Sequence, residues 1–74
     1  GYLEQRELDG IEENLLAAEE RLATARARAE DPAVASDADA LQKRYAELAE
    51  AQRAVDRLYE RWAELEAKLQ AQLP

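Results

Sequence analysis

Asp31-Pro32-Ala33-Val34-Ala35-Ser36-Asp37 is the one strong interruption in a sequence otherwise composed for helix. Proline has no amide hydrogen, and its ring pushes the preceding residue out of the helical region. A helix arriving from the N-terminal side therefore stops near Glu30. Ser36 or Asp37 can cap a new start, and Ser36 with Asp39 three residues on has the spacing of a capping box. These signals predict helix over about 2–30, a loop over 31–36 and helix over about 37–73, within a single domain spanning 1–74.

The segments on either side carry the matching periodicity. On the first, Leu8, Ile11, Leu15, Ala18, Leu22, Ala25 and Ala29 recur at alternating steps of three and four. On the second, the heptad column Leu41, Leu48, Val55, Trp62, Leu69 is apolar throughout. Its partner column reads Arg44, Ala51, Leu58, Leu65, Gln72, and Tyr45, Tyr59 and Leu73 widen the stripe. This is the repeat of a left-handed coiled coil. A short break between two such helices makes them antiparallel neighbours, so the predicted fold is an all-α, two-helix antiparallel coiled-coil hairpin. A bend near Val34 and Ala35 sets Leu8 near Trp62, Leu15 near Val55, Leu22 near Leu48 and Ala29 near Leu41. The same register expects Tyr59, Trp62 and Leu65 to meet Leu8 and Ile11, and pairs Asp9 with Arg61 and Glu13 with Arg57. A hairpin covers only one stripe per helix, which predicts weak self-association as a homodimer through Leu16, Tyr45 and Tyr59.

Composition supports helix and excludes much chemistry. Ala, Glu, Leu, Arg and Lys fill 50 of 74 positions, above the half at which a long helix or coiled coil is suspected. β-Branched residues are too few for a sheet. With neither cysteine nor histidine, there is no disulfide, no thiolate metal site and no serine or cysteine triad. Neither a P-loop nor a G-x-G-x-x-G turn is present. Glu12, Glu13, Glu19, Glu20, Asp56, Glu60, Glu64 and Glu66 fall on expected solvent faces, without the burial that tunes a catalytic carboxylate. The chain is therefore read as no enzyme, with no catalytic residue, no cofactor and no metal. Asp31, Asp37 and Asp39 are read as caps, since the EF-hand spacing is missing. Trp62 is read as a core aromatic of its heptad column over a stacking platform for bases. No apolar run is long enough for a membrane span, and the lack of cysteine points to the cytoplasm.

The charge of −7 opposes general affinity for phosphates, but it is unevenly placed. Residues 21–53 hold six cations against six acids, so the whole net charge lies toward the ends of the chain. Arg21, Arg26, Arg28, Lys43, Arg44 and Arg53 would then form a basic collar near the hairpin tip, the candidate nucleic-acid-binding residues. The competing reading is that they are ordinary solvated helix residues.

Three stretches carry a family resemblance. Tyr2-Leu3-Glu4-Gln5-Arg6-Glu7-Leu8 resembles the Y-K-E-Q-R-E-L opening of the C-terminal coiled-coil domain of Uup-like ABC-F ATPases, with Leu3 where that family usually has Lys. Glu30-Asp31-Pro32-Ala33 resembles its D-P break. Leu58-Tyr59-Glu60-Arg61-Trp62-Ala63-Glu64-Leu65-Glu66 resembles its closing L-x-x-R-W-x-E-L-E. The resemblance implies a C-terminal arm of a cytoplasmic ATPase whose two cassettes, with their ATP and magnesium, lie outside this sequence. It implies DNA or ribosomal RNA as partner, an association with ribosomes, and no membrane domain. The alternative is a protein-interaction or dimerisation module that docks on the parent cassettes or the ribosome without touching nucleic acid.

Overall fold

The computed structural model describes residues 1–73, and two long helices account for nearly all of them. Helix α1 runs Tyr2–Ala29 and helix α2 runs Ala38–Ala71, joined through a 3-10 turn at Pro32–Val34. They pack against each other as a hairpin 59 Å long and 15 Å across.

The break forms as proline chemistry requires. The Glu30 amide closes the last bond of α1 on the Arg26 carbonyl at 3.0 Å. Asp31, held extended ahead of Pro32, accepts from the Ala33 amide at 3.0 Å, capping a 3-10 turn within the stretch where the sequence predicts a loop. Val34 then turns inward and is buried, pinning the loop to the helices. Of the two cap candidates, Asp37 takes the position: its Oδ1 accepts from the Ala40 amide at 3.1 Å. Asp31 and Asp37 thus both act as caps.

The core is a thin seam. Ile11, Leu15, Ala18, Ala25 and Ala29 of α1 are buried with Val55 and Leu65 of α2, and among the described residues no polar one is buried with them. Leu15, Ala18 and Val55 form its centre, with Leu22, Leu58 and Trp62 packed against them. Leu15 meets Val55 as the register requires, and Trp62 belongs to the core. Each large side chain fully removed from water contributes roughly 1.5–3 kcal/mol, so a seam this thin leaves little surplus.

Three expectations are corrected. Tyr45, Tyr59 and Leu73 do not widen the buried stripe; all are exposed. Tyr59 does not meet Leu8 and Ile11; its hydroxyl donates to Glu19 at 2.7 Å, nearer the tip. Arg61 pairs with Glu7 rather than Asp9, and Arg57 with Glu50 of its own helix rather than Glu13. Asp9 lines the recess with Trp62 and Glu66, on the opposite flank of the seam from Arg61 and Glu7, so rotation of α1 carries it out of reach.

Candidate nucleic-acid interface

The hairpin has two broad faces on either side of the seam. On one, Ala17, Thr24 and Ala25 of α1 and Ala51 and Ala54 of α2 floor an open groove. Glu20, Arg21, Arg28, Glu47 and Glu50 edge it. The other carries Asp9, Glu12, Glu19, Tyr59, Trp62 and Glu66. The rings of Tyr59 and Trp62 stack there at 6.3 Å and 18°.

The collar residues occupy different settings. Arg28 sits on the groove edge, its Nε 3.8 Å from the Glu47 carboxylate. Arg53 forks onto Glu50 at 2.9 and 3.1 Å, and the other Glu50 oxygen takes Arg57 at 3.1 Å. Arg44 begins the heptad column that continues through Ala51, Leu58 and Leu65, and is half-buried. Its Nη1 donates to the Arg28 carbonyl at 2.9 Å and lies 3.8 Å from Asp31. Arg44 therefore closes the C-terminal end of α1, whose last carbonyls lack intrahelical donors. Arg21, Arg26 and Lys43 are exposed and stand in no ion pair among the described residues. Arg21 lies on the groove edge. Lys43 is one heptad from Glu50, and Arg26 is one heptad from Glu19, so Arg26 looks out on the opposite face from Arg21. The six cations surround the tip half rather than forming one patch.

The open end contrasts with this. Arg61 donates to both oxygens of Glu7 at 2.8 and 2.9 Å and to Glu64 at 2.9 Å. Lys68 pairs with Glu4 at 2.9 Å. These two cross-helix pairs clamp the termini of the helices, a role for Arg61 and Lys68 that the charge count alone does not reveal. Arg6 is the one cation side chain of that half with no ion pair of any kind among the described residues.

The hydrogen bond from Lys68 holds the Glu4 carboxyl below its ordinary pKa, and the bond from Arg61 does the same for Glu7. Arg53, then Arg57, lower Glu50. Tyr59 is raised by its bond to Glu19. A carboxyl with a depressed folded-state pKa stabilises the fold above its unfolded value of about 4.5, and the gain is lost as pH falls through the folded value. These groups face solvent, so the effect is small. Thermal melts at about pH 6 and about pH 3 should show a drop that is smaller in a Glu4→Gln, Glu7→Gln variant than in the parent chain. An equal drop in both would mean that these pairs do not discriminate folded from unfolded chain.

The eight acids singled out in the sequence are all exposed, on helix surface. No helix is long and apolar enough to cross a membrane among the described residues. A family model described as ABC transporter C-terminal domain matches residues 1–67. No curated protein and no solved structure matches the chain.

Proposed function

The chain belongs to the ABC transporter C-terminal domain family, and from that premise we propose that it is the arm of a Uup-like ABC-F ATPase that touches nucleic acid with its tip half. The parent protein would hold ATP and magnesium in its cassettes and work in the cytoplasm, on or near ribosomes. The observation that carries this reading is the placement of unpaired cations. Arg21, Arg26 and Lys43 keep their charge available in the half that is electrically balanced, whereas at the open end Arg57, Arg61 and Lys68 are matched to carboxylates and Arg6 alone stands unpaired among the described residues.

Phosphate contact needs positive charge that is not already neutralised. Arg28 and Arg53 sit in exposed pairs worth little individually, so either can exchange its carboxylate for a phosphate. Arg44 is tied to the Arg28 carbonyl and supports the tip more than it reaches outward. Cations spread around a rod favour recognition of backbone and shape over base sequence. A rod 59 Å long separates such a tip from the open end, where the two helix termini lie.

Gel shifts with duplex DNA, branched DNA and structured RNA at two salt concentrations test the reading. With three phosphate contacts, affinity should fall about 40-fold between about 50 and about 200 mM salt. Reversing Arg21, Arg26 and Lys43 to Glu should abolish the shift. Unchanged affinity in that variant would refute the assignment. The alanine-floored groove favours a second reading, a docking module for the parent cassettes or a ribosomal protein, because its small side chains leave room for another helix. No shift at low salt, with retained binding to the cassettes, would select it.

A further inference from the structure

Away from the helix termini, the large apolar side chains that the hairpin leaves most exposed lie on the face opposite the groove. Leu16, Tyr45 and Tyr59 are 61%, 51% and 48% exposed. Tyr45 and Tyr59 belong to one heptad column of α2, with Gln52 midway between them. Leu16 is one heptad from Asp9, and Glu66 is one heptad from Tyr59; Asp9 and Glu66 line the same recess, which places Leu16 and Tyr59 side by side on this face.

Two charges on this face are arranged by the same interval. Glu19 and Arg26 are one heptad apart on α1. Glu19 accepts from Tyr59 alone, and Arg26 has no carboxylate partner among the described residues. Ala18 packs on Val55, and Arg28 reaches Glu47, so the midpoint between Glu19 and Arg26 lies level with Gln52.

A single two-fold axis at that level, in the plane of the face and across the helices, lays each helix antiparallel over its own copy. Tyr45 then meets the partner's Tyr59, and Gln52 meets the partner's Gln52. Arg26 meets the partner's Glu19, and Glu19 the partner's Arg26. We propose that this chain forms an antiparallel two-fold dimer through this face, an up-and-down four-helix arrangement keyed by reciprocal Arg26–Glu19 pairs. Such an interface is self-complementary and closes, so it stops at two copies. It deepens the self-association expected from the half-covered stripe by assigning the axis and the charges that fix it. It does not depend on nucleic-acid binding. Arg26 is common to both surfaces, whereas Arg21 on the groove edge stays free in the dimer.

Sedimentation equilibrium without nucleic acid, from about 10 µM to about 1 mM chain, provides the test. The parent chain should rise from 8.3 kDa toward twice that mass. Glu19→Arg and Arg26→Glu each set like charges against one another, so each variant alone should associate at least about tenfold more weakly. Mixed in equal amounts, they should recover a heterodimer, since each supplies the charge the other lacks. Tyr45→Lys, remote from the Tyr59–Glu19 bond, should also weaken association while its helical signal and melting stay those of the parent. A parent chain that remains monomeric at the highest concentration would overturn the proposal. So would single variants that dimerise like the parent, or a mixture that stays monomeric where the parent dimerises.

Discussion

Leu65→Ala should leave most of the chain unfolded at room temperature. Leu65 is only 2% exposed, deep in the seam near the open end, where it lines one small recess with Leu8 and Leu69. Truncating a buried leucine costs about 2–5 kcal/mol, because the lost transfer energy is joined by a cavity that the surroundings close only in part. A single core in a chain of this size supplies about 3–5 kcal/mol in total. The substitution therefore removes most or all of the margin. Two helices offer no third element that could shift to fill the space. Leu69→Ala, one helical turn on, is the natural comparison. Leu69 is 38% exposed and near the end of α2, so its loss should change the melt little. Far-ultraviolet helical signal followed through temperature reads both. If Leu65→Ala melts within a few degrees of the parent, the seam does not hold the hairpin together.

The seam and the turn were legible in the sequence because both are local properties. The heptad columns through Leu15 and Val55 state which way each helix faces, and the Asp31-Pro32 step stops α1 whatever surrounds it. The flanks were less legible. A repeat fixes the direction of the stripe but not the small rotation that decides whether Glu7 or Asp9 stands beside Arg61. Exposed ion pairs differ by less than about 1 kcal/mol, so a long arginine settles on whichever carboxylate lies nearer, as Arg57 does with Glu50. Tyr45 and Tyr59 sit one position from the apolar column, and two helices are too few to cover them. Arg44 is the most instructive case. An arginine that begins a column continuing in Ala51, Leu58 and Leu65, level with the end of the facing helix, is what a capping donor requires, and the Arg28 carbonyl is its acceptor. Its place at the tip end of that column is the sequence signal for this capping bond.

Ala18→Phe should destabilise the hairpin by about 1–3 kcal/mol through the opposite fault, too much volume in the seam. Ala18 is 1% exposed and lies between Leu15 and Val55. Ala25 and Ala29, also buried, continue the small side chains toward the tip. Where both partners are small, helix axes approach more closely than where large residues interpose. A phenyl ring at Ala18 has no space to occupy unless α1 and α2 separate. Separation at mid-length would strain the Arg61–Glu7 pair on one side and the Arg44 bond to the Arg28 carbonyl on the other. For a chain of this length, about 2 kcal/mol lowers the melting temperature by roughly 8–16 °C. Ala27→Phe supplies the control. Ala27 is exposed on α1, so that substitution carries the same loss of helix propensity, about 0.5 kcal/mol, without any volume in the seam. The difference between the two melts isolates the packing cost. Equal melts for Ala18→Phe and Ala27→Phe would mean that the helices do not touch at Ala18. Close approach there would then not be what sets the width of the rod.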